Sequence, residues 1–333
     1  MLLDIRYGAY VAQHFLLSAA ARTLSLASVA RMSDEEAHAT FTRIRWSDNG
    51  GEPYCPRCGC LKVKALATRP VWKCSGCAYQ FSVTAGTIFA DRKRPIRDYL
   101  LAIAIFVNGV KGHSALQLSR DLDCQYKTAF VLSHKLREAI QAEQRNATIK
   151  GESEIDGAYF GGYRKPANNV ADRVDRRTAE EQTGKRQVVV VIRERKGRTL
   201  PFVFKRESDA IPTIRALVPF GASIHGDESR AWDVLHAHYD MHRVNHSVTY
   251  SQDGACTNQA ESYFSRLRRA ELGQHHRIAG PHLRAYACEI AWREDYRRVS
   301  NGDQYGLIAG LALHHPHSRN GWRGYWQRRR AAR

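Results

Sequence analysis

Glu152-Ser-Glu-Ile-Asp156-Gly-Ala-Tyr159 sets three carboxylates on alternate residues. Side chains alternate across a β-strand, so a strand here directs Glu152, Glu154 and Asp156 to one face. Carboxylates crowded on one sheet face repel one another, and cations relieve that repulsion. Outward from this stretch, residues 149–300 read as strands interleaved with helices. Residues 188–192 and 200–204 are rich in β-branched and apolar side chains and predict two strands, joined by a hairpin turn at Lys196-Gly197. The charged and polar stretch 164–187 predicts a mobile loop.

Two more acids extend the set. Asp227 lies in Ala222-Ser-Ile-His-Gly-Asp-Glu228, a short strand ending in a glycine turn, where a sheet edge presents ligands. Thr257-Asn-Gln-Ala-Glu261-Ser-Tyr-Phe-Ser-Arg-Leu-Arg-Arg269 has a helical pattern, with Ala260, Tyr263, Phe264 and Leu267 as its apolar stripe. Glu261 stands at the margin of that stripe in the first turn, and Arg266, Arg268 and Arg269 beyond it are candidates to hold DNA phosphates. Two aspartates on strands and a glutamate on a helix suit two Mg²⁺ (or Mn²⁺) ions ~3.5–4 Å apart. One ion activates a water or 3′-hydroxyl and the other stabilises the leaving oxygen. Any single acid is more often a solvated surface charge; the joint pattern carries the reading. His225 and His276 are candidates to contact the scissile phosphates, against the commoner packing role of a histidine.

Of the eight cysteines, four form the pairs Cys55-Pro-Arg-Cys58 and Cys74-Ser-Gly-Cys77, separated by residues 59–73. Two such knuckles suit one tetrahedral structural Zn²⁺, whereas either pair alone would equally suit a redox disulfide. Cys60 is too close to Cys58 to be needed, and Cys124, Cys256 and Cys288 read as small buried apolar residues. Strand-like pieces at 61–65 and 71–73 complete a small metal-bound module. Arg57, Lys62, Lys64, Arg69 and Lys73 around it fit either DNA contact or a solvated charged surface.

Ahead of the module, residues 1–48 read as helical, with the capping-box spacing Ser33-Asp-Glu-Glu36. Behind it, residues 95–146 predict three helices broken at Asn108-Gly109 and Asp121-Leu-Asp123. The last two fit a helix-turn-helix whose buried stripe is Leu118, Leu122, Ala129, Leu132 and Leu136. Asp123 must then take the left-handed conformation, at some cost. Gln125, Tyr126, Lys127 and Thr128 stand at the leading end of the second helix, where such motifs contact bases and phosphates. A helical hairpin used only for packing fits the same pattern. The stretch 322–330 is basic and aromatic.

The formal net charge is +18, from 51 Lys plus Arg against 33 Asp plus Glu, and the excess recurs along the whole chain. Such a balance implies a polyanionic partner, nucleic acid before an anionic membrane surface. No apolar run approaches the ~20 residues that span a bilayer, and the N-terminus lacks a signal peptide's pattern, so a cytoplasmic, nucleoid-associated prokaryotic protein is expected.

At these residues the sequence resembles the DDE-type insertion-sequence transposases with an N-terminal zinc ribbon, the ISXO-like group. Arg45-Trp46 with Cys55-Pro-Arg-Cys58-Gly, then Trp72-Lys-Cys-Ser-Gly-Cys77 through Phe81-Ser-Val-Thr-Ala-Gly-Thr87, is similar to the group's ribbon. Glu154-Ile-Asp156-Gly-Ala-Tyr159-Phe-Gly-Gly162 resembles its first catalytic strand, Asp227 its second acidic position, and Asn258-Gln-Ala-Glu261-Ser-Tyr-Phe-Ser-Arg-Leu-Arg268 its third. His275-His276 and the stretch 282–293 resemble its closing helix, with Asp295 where an asparagine is usual.

The resemblance implies an α/β chain whose catalytic domain is a ribonuclease-H-like mixed sheet, with Asp156 on the first strand and Asp227 beside it after the fourth. The expected layout is a helical segment at 1–48, a zinc ribbon at 49–83, a helical region with the helix-turn-helix at 84–147, the catalytic domain at 148–299 and a basic aromatic tail at 300–333. The activity implied is cleavage of element ends and strand transfer into target DNA. The partners implied are double-stranded DNA, as terminal repeats and as target, and a second copy of the chain in a homodimer or larger assembly. The alternatives are a non-catalytic DNA-binding regulator and a ribonuclease-H-like nuclease without strand transfer.

Overall fold

The structure is a computed structural model that describes residues 15–145, 147–161, 168–173, 186–195, 197–244, 256–316, 318, 321–322 and 324–331. Most of the expected loop at 164–187 lies outside the described residues, as does Lys196 of the expected hairpin turn. Among the described residues, no helix is long and apolar enough to cross a membrane.

Helices α1 (Leu26–Ala30) and α2 (Asp34–Arg45) open the described chain, and residues 15–25, within the stretch read as helical, hold only short 3-10 turns. The capping box at α2 forms as expected: Ser33 Oγ accepts from the Glu36 amide (3.1 Å) and the Ser33 amide donates to Glu36 Oε2 (2.8 Å). At the other end of α2, buried Arg45 donates to the Ser82, Val83 and Ala85 carbonyls. Trp46 packs edge-on against Trp72, with ring centroids 5.3 Å apart. These two residues fasten α2 to an antiparallel sheet of β1 (Val63–Ala65), β2 (Val71–Cys74) and β3 (Gln80–Ser82). So small a sheet has little interior, and its apolar side is completed by Phe41 and Trp46.

Helix α3 (Ile96–Asn108) is buried along most of its length and stops at Gly109, as the sequence predicts. α4 (Ala115–Asp121) and α5 (Tyr126–Gln144) follow, with Asp123 between them at φ 45°, in the left-handed region. All five residues of the expected stripe, Leu118, Leu122, Ala129, Leu132 and Leu136, are buried.

The second unit is a five-stranded mixed sheet of β4 (Ser153–Phe160), β5 (Gln187–Glu194), β6 (Thr199–Phe204), β7 (Ser223–Asp227) and β8 (Asp240–Val244), in the order β6-β5-β4-β7-β8. β4, β5 and β6 run antiparallel in sequence; β7 runs parallel to β4, and β8 parallel to β7. Alternation sorts the side chains. Ile155, Val188, Val190, Ile192 and Ile224 pack under α6 (Ile211–Leu217) and the turn Arg230–Leu235. Ala158, Phe160, Val189 and Val191 pack under α7 (Asn258–Ala270) and α8 (Leu283–Asp295). By parity, Glu154 and Asp156 of β4 and His225 and Asp227 of β7 share the α7–α8 face.

α8 belongs to both units. Leu283, Ala287 and Ile290 join the sheet's core, while Cys288 and Trp292 join the core of the ribbon and helices. Its Glu289 accepts from Arg137 of α5 (2.6 Å) and from Arg293 (2.9 Å), and Arg293 also donates to the Phe106 carbonyl of α3 (2.7 Å). The stretch after Ser300, grouped as a tail from sequence, begins with α9 (Asn301–His314), whose Tyr305, Ile308, Ala309, Ala312 and Leu313 enter the first core. Its low charge and apolar content mark it as a core helix. The basic aromatic part is α10 (Tyr325–Ala331) and the residues before it, where Trp322 stacks on His134 of α5 with centroids 4.2 Å apart.

Candidate functional site

The structure gathers the candidate ligand side chains in two places. In the ribbon, Cys55, Cys58, Cys74 and Cys77 bring one sulfur each within 4.8 Å of all the others. The Cys55–Cys77 and Cys58–Cys74 sulfur pairs are 3.6 Å apart, close to the ~3.8 Å edge of a tetrahedron with zinc–sulfur bonds of about 2.3 Å. The Gly76 and Cys77 amides point at Cys74 Sγ (3.3 and 3.4 Å), a support that thiolate ligands use. The donor set therefore fits one structural Zn²⁺. Cys60 is not part of it.

The second centre follows from sheet register. Parallel pairing of Ile155 with Gly226 leaves Asp156 and Asp227 as the next residues of β4 and β7, one strand spacing apart on the same face. Asp227 Oδ1 accepts from Trp232 Nε1 (2.8 Å) and from the Ser229 amide (3.2 Å), which fixes its rotamer. α7 covers this face, and Glu261 in its first turn lines the same cleft of about 910 Å³ as Asp156. Lys111, Arg268 and Arg269 also line that cleft, and all three are exposed.

Burial pushes the Asp156 carboxyl up, and the charges of Asp227, Glu261 and Glu207 push it further, to about 7, against the single opposing hydrogen bond from the Gly157 amide. Among the described residues, neither Asp156 nor Asp227 is in an ion pair. Hard oxygen donors in this arrangement suit Mg²⁺ or Mn²⁺ rather than a soft metal. The acids are more open than the thiols, since among the described residues only the cysteines approach within 4.8 Å as a complete group. Two ions need a wider donor set than one.

The three alternating carboxylates of β4 have three different environments. Glu152 is partly exposed and accepts from Arg195 (2.5 Å) and His225 (2.5 Å). Glu154 is fully buried: Oε2 accepts the amides of Gln259 (2.8 Å) and Ala260 (3.0 Å) at the start of α7, and Oε1 accepts from Arg195 Nε (3.2 Å). Only Asp156 faces the cleft, so the repulsion expected on this strand is relieved for its neighbours by Arg195 and a helix N-terminus. His225 is a buried partner of Glu152 stacked on His242 (4.8 Å), while His276 is exposed. Of the cysteines expected to be buried, only Cys288 is; Cys124 is half-buried, and Cys256 is half-buried with its sulfur 2.9 Å from Arg195.

Sequence reasoning missed Glu207, which follows β6 in the charged stretch Lys205-Arg-Glu-Ser-Asp209. Its carboxylate accepts from Ser229 (2.7 Å) and lies over Gly157, where an added Cβ would come within 2.9 Å of Glu207 Cγ. Topology alone brings its charge to bear on Asp156, as it brings Lys111 to the cleft and the buried Trp232 to Asp227. The predicted arginines divide: Arg268 and Arg269 line the acid cleft, whereas Arg266 lines a neighbouring groove and pairs with Glu294 (2.8 Å). Gln125, Tyr126, Lys127 and Thr128 are all exposed at the start of α5, with Lys127 over the Trp326 ring of α10 (5.6 Å).

Residues 148–295 match the ISXO2-like transposase domain, and residues 32–80 match the transposase zinc-ribbon domain. An uncharacterised protein in the transposable element ISH50 of Halobacterium salinarum is 23% identical over 306 residues, covering 85% of this chain and 98% of that protein. No solved structure matches the chain. With both domains matched in order, on the thiol centre and on the sheet that carries the acids, the chain belongs to the DDE-type insertion-sequence transposases with an N-terminal zinc ribbon.

Proposed function

We propose that the protein binds the ends of a DNA insertion element, cleaves a strand there and joins the 3′ end to target DNA. The observation that carries this is the register that sets Asp156 beside Asp227 on adjacent parallel strands, with Glu261 of the covering helix lining the same cleft as Asp156 together with Lys111, Arg268 and Arg269. The strand order, an antiparallel hairpin beside a central strand followed by two parallel ones, supports a ribonuclease-H-like reading of the sheet.

Asp156, Asp227 and Glu261 would hold the Mg²⁺ or Mn²⁺ ions. Bound there, the metal supplies Lewis-acid activation of a water or 3′-hydroxyl and neutralises charge on the scissile phosphate. The rest is the work of the chain. Trp232 and Ser229 fix the Asp227 carboxylate, Glu154 fixes the start of α7 and with it Glu261, and Arg268, Arg269 and Lys111 hold phosphates beside the acids. α4 and α5 act as a helix-turn-helix that offers Gln125, Tyr126, Lys127 and Thr128 to the element end. The zinc ribbon sits next to them in the same core and adds basic surface. Two ends must be cut in concert, so the working form is a dimer or larger assembly on double-stranded DNA.

The test incubates wild type and the Asp156→Ala, Asp227→Ala and Glu261→Ala variants with Mg²⁺ and labelled DNA carrying both ends of the element that encodes this chain. Wild type should cleave and join, and each variant should bind without doing either. Strand joining by the variants would refute the acid site. Binding by wild type without any cleavage would favour a DNA-binding regulator, and cleavage without joining a nuclease.

A further inference from the structure

Beside the acid cleft runs a second groove, of about 1080 Å³, that shares Lys111, Ser265 and Arg269 with it. The groove continues past Arg266 to Arg297, Arg298 and Arg22. Among the described residues its only acidic lining residue is Glu294, which is buried and already paired with Arg266 (2.8 Å) and Arg297 (3.5 Å). Arg293 in its wall is committed to Glu289. Arg22, Lys111, Arg269, Arg297 and Arg298 are exposed. Cations on a convex surface are commonly a solvated face, but a concave run of one sign, continuous with a candidate reaction centre, focuses its field on a polyanion. Of the neutral polar groups in the lining, Asn301 is committed to Asn108 and to the Thr23 and Leu24 amides, and Gln304 to the Tyr296 and Val299 carbonyls, which leaves mainly guanidinium and ammonium groups to meet a ligand and suits phosphates rather than base edges.

The position of the groove distinguishes it from the helix-turn-helix. Phe130, one turn into α5, packs on His282 at the start of α8 (5.7 Å), whereas Ile290, Arg293 and Glu294 place the groove at the other end of that helix. A helix of 13 residues is about 20 Å long. DNA held by the leading end of α5 is therefore a different segment from DNA in the groove.

We infer that this groove carries the flanking DNA, the duplex beyond the scissile phosphate on the side away from the segment held by the helix-turn-helix. The inference rests on the proposed transposase function for what the acid cleft does, and adds where the DNA goes next.

The test uses the full chain with Asp156→Asn, so that nothing is cut, and measures fluorescence anisotropy with two labelled duplexes. One carries the element end with about 20 base pairs of flank, roughly two helical turns; the other stops at the scissile phosphate. Adding Arg297→Gln with Arg298→Gln should weaken binding of the flanked duplex by about tenfold and lower its salt slope by about 2, with the flush duplex bound within twofold of the parent. Both arginines are exposed, and an unchanged melting temperature would exclude misfolding. Equal binding of the flanked duplex by parent and variant would overturn the inference. So would an equal loss on both duplexes, which is a general charge effect, or a loss confined to a separately added target duplex. If the parent prefers neither duplex to a scrambled sequence, the transposase reading fails and the groove assignment falls with it; if the parent prefers the ends but the arginine pair is silent, the groove alone is wrong.

Discussion

Two carboxylates in this molecule are taken out of water and end in opposite states. Glu289 is fully buried, which works against its charge, yet Arg137 and Arg293 at 2.6 and 2.9 Å hold it down at about 2. Asp156 is pushed up by burial and then by Asp227, to about 7. The first centre joins α5, α3 and α8 and sets two guanidinium groups on its one carboxylate. The second contains more negative charge than the fold compensates, and the deficit lies in an open cleft. A fold able to place two arginines on Glu289 gives Asp156 no such partner among the described residues, and in the proposed function a metal cation takes that place.

That contrast makes Asp156→Asn the most consequential change. It should lower strand cleavage by a factor of about 10³ or more, as for other groups on which a reacting centre depends. In protein kept free of Mg²⁺ but with zinc retained, it should also raise the melting temperature, because one of the repelling charges is gone. Cleavage within tenfold of wild type, or a lower metal-free melting temperature, would break the comparison. Glu289→Gln should do the reverse. It leaves two arginines buried without a counterion and should cost about 3–5 kcal/mol in denaturant unfolding. A cost below about 1 kcal/mol would mean that the centre is not what binds the two units together.

The two carboxylates also respond oppositely to pH. Asp156 has a raised folded-state value, so its contribution to stability is fully present below the ordinary 3.8 and is lost as pH rises through about 7. The loss amounts to about 2–4 kcal/mol in metal-free protein, allowing for water in the cleft. Glu289 has a lowered value, so its contribution is present above the ordinary 4.5 and disappears as pH falls through about 2. Millimolar Mg²⁺ should therefore raise the melting temperature at pH 8 far more than at pH 5, and Asp156→Asn should remove that difference. An equal Mg²⁺ effect at both pH values would count against Asp156 as a ligand.

Local pattern was legible where one segment determines its own structure. The Ser33 capping box, the left-handed Asp123, the β5–β6 hairpin and the apolar stripe of α7 all depend on neighbours within a few residues. The cysteine pairs were legible because zinc demands that spacing. What the sequence hides is pairing at long range. Nothing near Glu207 or Trp232 says that the chain will return them to Asp156 and Asp227. α9 was read with the tail because the basic residues that follow it obscured an apolar helix, and only the packing of Tyr305 and Ile308 against the first core reveals it. Glu154 was the subtlest case, since strand alternation predicted its face correctly and its partner not at all.

Glu154 therefore gives the smallest and most discriminating test. It shares a strand face with Asp156, but its Oε2 accepts two amides at the start of α7 and its Oε1 accepts from Arg195. Glu154→Gln keeps the shape and one acceptor oxygen while removing the charge that the helix N-terminus and Arg195 both use. The expected cost is about 1–2 kcal/mol, with cleavage reduced by less than about tenfold as Glu261 loses its support. The sign in metal-free protein separates the two acids. Asp156→Asn should raise the melting temperature and Glu154→Gln should lower it, because one residue is repelled by its surroundings and the other is held by them. If Glu154→Gln instead stabilised the metal-free protein, Glu154 would belong with the cleft acids, and the division of this strand into a structural and a metal-facing carboxylate would be wrong.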